Sequence, residues 1–257
     1  MYRELEAADH QRMLGLEPAE LPDIALLVGM FDVSESERFA GYLESQRREE
    51  RRFPHGWYGE YRGLRVSVTG VFGGPMAALV AHVYCGAGVP VVAQLGWYGA
   101  LQRGSKVGDV LVPRHAERED GVSDWYLAKG ILADASGELV DGVTTQLTAR
   151  GIDANTHAIY STPALLAESR EVIADWSRHG WQGVDMETAA TFAVARSLGA
   201  RRVAALVRID DLIAEDHSLA EAVPKESRAI LRAREREVML AVLDAVVAER
   251  ETAVEHP

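Results

Sequence analysis

Apolar runs bounded by turn residues alternate along this chain with segments of helical hydrophobic spacing. The alternation predicts a single α/β domain over residues 1–257, with a largely parallel, mixed central sheet flanked by helices on both faces. Strands are predicted at residues 24–28, 64–68, 89–95, 107–112, 156–160 and 202–209. Helices are predicted at residues 76–85, 163–179, 186–198 and about 225–250.

The stretch between Arg65 and Arg103 contains no Asp, Glu, Lys or Arg, which raises the question of a membrane span. Several glycines and prolines interrupt it, and it carries His82 and Gln94. Such interruption is typical of two buried strands flanking a buried helix. We therefore expect no membrane partner.

Charge and cysteine content narrow the possible functions. The chain has 27 Lys and Arg against 39 Asp and Glu, a formal net charge of −12, which disfavours a nucleic-acid partner. A lone cysteine, Cys85, excludes an internal disulfide, and no Cys/His cluster has metal-site spacing, so we expect no metal and no cofactor. The polar N-terminus lacks the pattern of a signal peptide, and a cytoplasmic location is expected.

Candidate functional residues follow the predicted strands, at the edge of the sheet where ligands of open α/β sheets bind. Met186 and Glu187 stand where a strand leads into a helix, a position that suits either a ligand-binding carboxylate or a simple capping acid. Asp210 and Asp211 end the last predicted strand, and paired carboxylates in a cleft either supply a proton or cap the next segment. Glycine-rich turns at 69–75 and 94–101 allow close backbone approach to a ligand or a sharp turn.

Together these segments resemble the superfamily of nucleoside phosphorylases and nucleosidases, which includes purine nucleoside phosphorylase, uridine phosphorylase and methylthioadenosine nucleosidase. The resemblance rests on the order and spacing of five motifs. These are Thr69-Gly70 with Gly73-Gly74-Pro75, Gly96-x-x-Gly99-Ala100-Leu101, Val107-Gly108-Asp109-Val110, Val184-Asp185-Met186-Glu187 and the late Asp after a strand. It implies a small-molecule nucleoside substrate and a homo-oligomer, either a dimer or a trimer of dimers.

The resemblance also implies roles for individual residues. Met186 and Glu187 match the pair that holds the ribose, and Asp211 matches the acid that serves the departing purine. Asp210 then takes the place of the family's serine beside the base, and a one-residue slip would exchange the two acids. Gly99 and Leu165 fall at base-binding positions, where Leu165 replaces an aromatic residue. His10 lies near the position from which relatives supply a histidine to the neighbouring subunit.

The family's phosphate ligands are replaced in an ungapped match anchored on residues 14–16. The match puts Phe31 at a glycine, Glu35 at an arginine, Gln94 at a second arginine and Trp97 at a hydroxyl residue. A carboxylate about 4 Å from a phosphate charge, at an effective dielectric near 20, costs roughly 4 kcal/mol per unit charge. We therefore expect a vacated phosphate site in which Glu35 activates water.

The leading expectation is hydrolysis of the N-glycosidic bond of a purine-type nucleoside, with Asp211 as acid and Glu35 as base. A first alternative is phosphorolysis with a relocated anion site that uses arginines from residues 47–52. A second alternative is a non-catalytic member that only binds nucleosides.

Overall fold

The structure is a computed structural model that describes residues 4–49, 53–214 and 223–255. In this part of the chain, twelve strands form one sheet and seven α-helices pack around it. The strands are β1 (Ile24–Gly29), β2 (Ser45–Glu49), β3 (Gly56–Tyr61), β4 (Leu64–Val71), β5 (Val91–Ala100), β6 (Val110–Leu111), β7 (His115–Arg118), β8 (Ala133–Asp134), β9 (Ala154–Asn155), β10 (Ile159–Ser161), β11 (Gly183–Asp185) and β12 (Arg201–Asp211). The helices are α1 (Ala7–Leu14), α2 (Ser36–Ala40), α3 (Gly73–Ala87), α4 (Gly137–Ala149), α5 (Arg170–Arg178), α6 (Thr188–Ser197) and α7 (Lys225–Glu255).

The sheet is mixed, as predicted, and β5 lies at its centre. β5 runs parallel to β1 on one side and to β12 on the other, while its last residues pair antiparallel with β11. β1 also pairs in parallel with β4, so the carboxyl ends of β1, β4, β5 and β12 lie at the same edge of the sheet.

Helices cover both faces because the central strands are apolar on both sides. In β1, Ile24, Leu26 and Val28 pack with residues of α2, α4 and α7. The alternate residues Ala25 and Leu27 pack with residues of α1, α3 and α6. Successive side chains of a strand point to opposite faces, so a continuous apolar run makes both faces of the sheet buried.

The largest difference from the sequence prediction concerns residues 163–179, which do not form one helix. A 3₁₀ turn at Leu165–Ala167 comes first, and α5 begins only at Arg170. The Ser169 side chain accepts a hydrogen bond from Val172 N at 3.3 Å and so starts α5 at that point. Residues 163–169 therefore form a connecting segment at the end of β10.

Two smaller differences concern strands. The strand predicted at 107–112 is only Val110–Leu111, because the segment before it forms turns that include Gly108 at φ 90°. The antiparallel hairpin of β2 and β3, which lies at one end of the sheet, was not predicted. Within the described ranges, no helix has the length and apolar character needed to cross a membrane.

Candidate active site

An open cleft lies at the carboxyl ends of the central strands. It receives residues from the ends of β1, β5, β11 and β12 and from the segment after β10. The lining residues are Gly29, Met30, Phe31, Phe72, Trp97, Tyr98, Gly99, Thr162, Leu165, Glu168, Val184, Asp185, Met186, Glu187, Ile209, Asp210 and Leu212. Four carboxyl groups therefore meet in a largely apolar cleft.

Glu187 lies deep in this cleft, immediately before α6. Its Oε1 accepts a hydrogen bond from the backbone N–H of Gly73, 2.6 Å away, at the start of α3. Burial raises the pKa of the Glu187 carboxyl, and the nearby Asp185 carboxylate raises it further. The backbone of Gly29 passes so close that a Cβ there would lie 2.9 Å from Glu187 Oε2. The predicted pair Met186 and Glu187 thus faces the cleft from the turn after β11.

Asp185 was given no role by the sequence prediction, although it belongs to the same motif. Its Oδ1 accepts a hydrogen bond from Ser161 Oγ at 2.6 Å, and its Oδ2 accepts one from Thr188 N at 2.9 Å. These bonds join the ends of β10 and β11 to the first turn of α6. Burial raises the pKa of Asp185, against the lowering effect of its hydrogen bonds. Asp185 therefore orients the turn that carries Met186 and Glu187.

The two adjacent acids at the end of β12 have different surroundings. Asp210 lines the cleft, and its Oδ1 would lie 3.1 Å from a Cβ built on Gly99. Asp211 is not among the lining residues of the described chain. Its Oδ1 accepts hydrogen bonds from Ile213 N at 3.0 Å and Ala214 N at 2.8 Å. Asp210, rather than Asp211, therefore lines this cleft.

A β-bulge explains why Asp210, and not Asp211, lines the cleft. Arg208 pairs with Tyr98 and Asp210 pairs with Gly99, so Ile209 is an extra residue in β12. An extra residue in one strand changes which side chains face each side. The bulge therefore directs Asp210 into the cleft, one residue before the position that the sequence alignment favoured.

Glu168 is a cleft residue that the sequence analysis missed. It lies one residue after the 3₁₀ turn of residues 165–167, and its Oε1 is buried with no hydrogen-bond partner in the described structure. Burial raises its pKa to about 7, with a further contribution from the Asp210 carboxylate. Only the tertiary structure brings this acid to the cleft, because residue 168 falls within a segment predicted to be helical.

The residues expected at the vacated phosphate site separate into three groups. Phe31 and Trp97 line the cleft. Gln94 is fully buried outside the lining, where its Oε1 accepts a hydrogen bond from Thr191 Oγ1 at 2.8 Å. Glu35 is also outside the lining of the described cleft, and its Oε2 accepts a hydrogen bond from Arg38 Nη1 at 2.9 Å. The structure therefore does not bring Glu35 to the cleft as a base.

Arg38 and Trp97 are joined through one buried acid. Trp97 Nε1 donates a hydrogen bond to Glu235 Oε1 at 2.7 Å, and Arg38 Nη2 donates one to Glu235 Oε2 at 3.0 Å. Arg38 is therefore held by Glu35 and Glu235. Trp97 is fixed in the cleft wall by the same network.

His10 packs within its own chain. Its ring centroid lies 5.3 Å from that of His82, and a Cβ on Gly86 would lie 2.8 Å from the His10 ring. Its Nδ1 lies 2.9 Å from Glu6 O, one turn earlier in the chain. These contacts attach α1 to α3, and His10 is buried between them. Leu165 and Gly99, in contrast, both line the cleft as expected.

Comparison with models of known protein families identifies the family of this chain. A family model described as "Phosphorylase superfamily" matches residues 23–248. This chain belongs to the phosphorylase superfamily. The match confirms the resemblance found in the sequence.

Three relatives of this superfamily member illustrate the likeness. A guanosine phosphorylase of Halorubrum lacusprofundi is 30% identical over 222 residues, covering 82% of this chain and 88% of the relative. A DeoD-type purine nucleoside phosphorylase of Clostridium beijerinckii is 26% identical over 175 residues, covering 67% and 74%. A uridine phosphorylase structure from Vibrio fischeri ES114 superposes with a TM-score of 0.81 at 19% identity, covering 93% of this chain and 96% of that one. The superposition confirms the predicted fold class.

Proposed function

We propose that this superfamily member cleaves the N-glycosidic bond of a purine nucleoside by phosphorolysis. The observation that carries the proposal is the meeting of Met186, Glu187 and Asp210 in one cleft. The names of the relatives, guanosine phosphorylase and DeoD-type purine nucleoside phosphorylase, support phosphate as the attacking group and do not support hydrolysis as the main reaction.

The carboxyl groups suit the charge that develops in this reaction. The bond between C1′ of the sugar and the base nitrogen breaks, its electron pair leaves with the base, and the sugar becomes cationic. Glu187 accepts hydrogen bonds from the sugar hydroxyls, and Met186 packs beside the sugar. Asp210 transfers its carboxyl proton to the departing base, while a phosphate oxygen forms the new bond to C1′.

Hydrolysis is retained as a second candidate because of the charges in the cleft. None of the lining residues among the described part of the chain is a lysine or arginine, and phosphate sites normally use arginine. A water oxygen would then form the new bond to C1′ in place of phosphate, and the proton that this water loses would pass to solvent. Glu35 is not proposed as its base, since Arg38 holds that carboxylate outside the cleft.

The arginine run at 47–52 remains the proposed source of a relocated anion site. β2 includes the backbone of residues 47–49, but the side chains of 47–52 lie outside the described structure. We also propose a homo-oligomer, in which a neighbouring subunit would bring this run to the cleft. Sedimentation velocity would test the assembly, and a single species of monomer mass would contradict it.

Base release from purified protein distinguishes the candidates. Adenosine, guanosine, inosine and uridine are incubated with and without inorganic phosphate, and the base and sugar products are separated by chromatography. Phosphorolysis predicts a sugar 1-phosphate and no turnover without phosphate. Release of free sugar at the same rate in both buffers would establish hydrolysis instead. Binding without any base release would favour the non-catalytic alternative.

A further inference from the structure

Glu168 and Asp210 are two acids that line the same cleft and interact electrostatically. Glu168 follows the 3₁₀ turn after β10, and Asp210 ends β12, yet both line the cleft together with Leu165 and Gly99. Glu168 Oε1 is buried and has no hydrogen-bond partner among the described residues. A buried carboxyl oxygen without a partner is costly, so a ligand that donates to it would restore a lost hydrogen bond.

We propose that Glu168 is a specificity-determining residue which, with Asp210, selects a 6-aminopurine as the base. The inference rests on the proposed function, because it assigns the base end of the same cleft. It adds a residue to which neither the sequence motifs nor the family resemblance gave a role.

Two neighbouring carboxyl groups in an apolar cleft favour a state in which they hold one proton between them. Such a pair presents one O–H donor beside one carboxylate acceptor. Adenine has the complementary edge, because its N7 accepts a hydrogen bond and its 6-amino group donates one. With adenine bound, the shared proton lies on the acid that faces N7, which is Asp210, and the Glu168 carboxylate faces the amino group. During cleavage, Asp210 transfers this same proton to the departing base.

A 6-oxopurine does not fit this arrangement. Guanine presents two acceptors, N7 and O6, along the same edge, so the Glu168 carboxylate would face an acceptor. Both acids would then have to be protonated, or the carboxylate would remain unpaired. A site built to bind a donor rejects an analogue that lacks it, because its own buried group is left without a partner.

The Asp210 carboxylate contributes to the raised pKa of Glu168, so the two acids interact electrostatically within the cleft. Recognition of two adjacent positions on one purine edge, N7 and the 6-amino group, is compatible with such an interaction. In the opposite arrangement Glu168 would accept the N1–H of a 6-oxopurine, which predicts a preference for guanosine or inosine in the binding test below.

Binding measurements test the inference without requiring turnover. Affinities of adenosine, inosine and guanosine are measured by calorimetry for the wild type, Glu168→Gln and Glu171→Gln. Glu171 is an exposed acid three residues further along, in the first turn of α5, and serves as the matched control. We expect the wild type and the control to bind adenosine at least about tenfold more tightly than inosine.

Glu168→Gln should reduce this preference to within about threefold, because an amide both donates and accepts and can face either an amino or an oxo group. Circular dichroism and thermal unfolding verify that the variant is folded. If it is not, Glu168→Asp serves as the second variant, since a shorter carboxylate should retain the sign of the preference. Tighter binding of guanosine or inosine by the wild type would overturn the inference.

The inference is also overturned if Glu168→Gln has the same ratio of adenosine affinity to inosine affinity as the wild type. It is overturned as well if the wild type binds none of the three nucleosides. The proposed function is judged separately by release of any base. Cleavage of inosine or uridine without a preference for adenosine would leave nucleoside cleavage standing and refute the role of Glu168.

Discussion

Asp210 and Asp211 are adjacent in the chain, yet only Asp210 lines the cleft, while Asp211 accepts hydrogen bonds from the backbone of the following turn. The β-bulge at Ile209 separates their roles. The proposed assignment of Asp210 as the proton donor therefore depends on a local irregularity of one strand. A matched pair of amide substitutions tests whether Asp210 and Asp211 have these different roles.

Asp210→Asn should lower kcat for nucleoside cleavage by about 100-fold or more, because an amide cannot supply the proton that a general acid gives. Asp211→Asn should keep kcat within about threefold, since its amide oxygen still accepts from the backbone N–H groups of the turn. Steady-state kinetics under identical conditions measure both variants. The reverse result, with activity lost only in Asp211→Asn, would restore the assignment made from the sequence alignment.

Glu35→Gln provides the next test. We expect its turnover to stay within about threefold of the wild type in phosphate and in phosphate-free buffer, because Arg38 holds this half-exposed carboxylate outside the cleft. Progress curves of base release give the rates. Loss of activity confined to phosphate-free buffer would show that Glu35 activates water after all. Glu37→Gln, an exposed neighbouring acid in α2, is the control.

The pKa of Glu187 predicts a pH-dependent stability. Burial and the Asp185 carboxylate raise this pKa in the folded state, so the folded protein binds the proton more tightly than the unfolded chain. The stability from this proton is complete below the unfolded pKa of about 4.3 and is lost as pH rises through the folded pKa. Glu187→Gln removes the effect. The variant should therefore gain stability relative to the wild type between pH 5 and pH 8.

Urea unfolding at both pH values measures this difference. Glu171→Gln is the control, because hydrogen bonds from its own backbone N–H and from Ser169 lower the pKa of that exposed carboxyl. The control should show no gain as pH rises. An equal offset between Glu187→Gln and the wild type at pH 5 and pH 8 would mean that Glu187 titrates alike in the folded and unfolded states.

Trp97→Phe should lower the free energy of unfolding by about 1–3 kcal/mol, because it removes the indole N–H that Glu235 Oε1 accepts. The Glu235 side chain is only 2% exposed, so water has little access to replace that donor. Chemical denaturation measures the loss. Trp125→Phe is the matched control, since Trp125 is 87% exposed and should change the stability little. Equal stability of both variants would contradict a structural role for this hydrogen bond.

The sequence could predict the sheet, and the position of Met186 and Glu187 in the cleft, because both follow from local patterns. Apolar runs such as Ile24–Gly29 are buried on both faces and identify central strands directly. Met186 and Glu187 follow such a strand within a recognisable motif, and the fold then brings them to the cleft.

The proposed base end of the cleft depends on features that residue spacing does not encode. The bulge at Ile209 exchanges the two adjacent acids, and Glu168 reaches the cleft because the chain turns between Pro163 and Ser169 instead of continuing as a helix. The ungapped match counted from residues 14–16 and placed the family's glycine at Phe31 and its arginine at Glu35. In the structure, the glycine that lies against Glu187 at the end of β1 is Gly29, two residues earlier.

Gly29 supplies the last test, because its lack of a side chain makes room for Glu187, the acid proposed to bind the ribose. A Cβ at this position would lie 2.9 Å from Glu187 Oε2 and 3.0 Å from Gln94 Nε2. Gly29→Ala should displace Glu187 and lower kcat/KM by about 100-fold, since small misplacements of a binding group are costly.

The stability of Gly29→Ala should fall by about 1–3 kcal/mol, as expected for overpacking of a buried site. Gly137→Ala is the matched control, because a Cβ at Gly137 meets no heavy atom within 4 Å. Its activity and stability should remain close to those of the wild type. Thermal unfolding and nucleoside kinetics on the same preparations separate the two effects. Wild-type kcat/KM in Gly29→Ala would show that the position of Glu187 tolerates the added methyl group and that the sugar is bound by other residues.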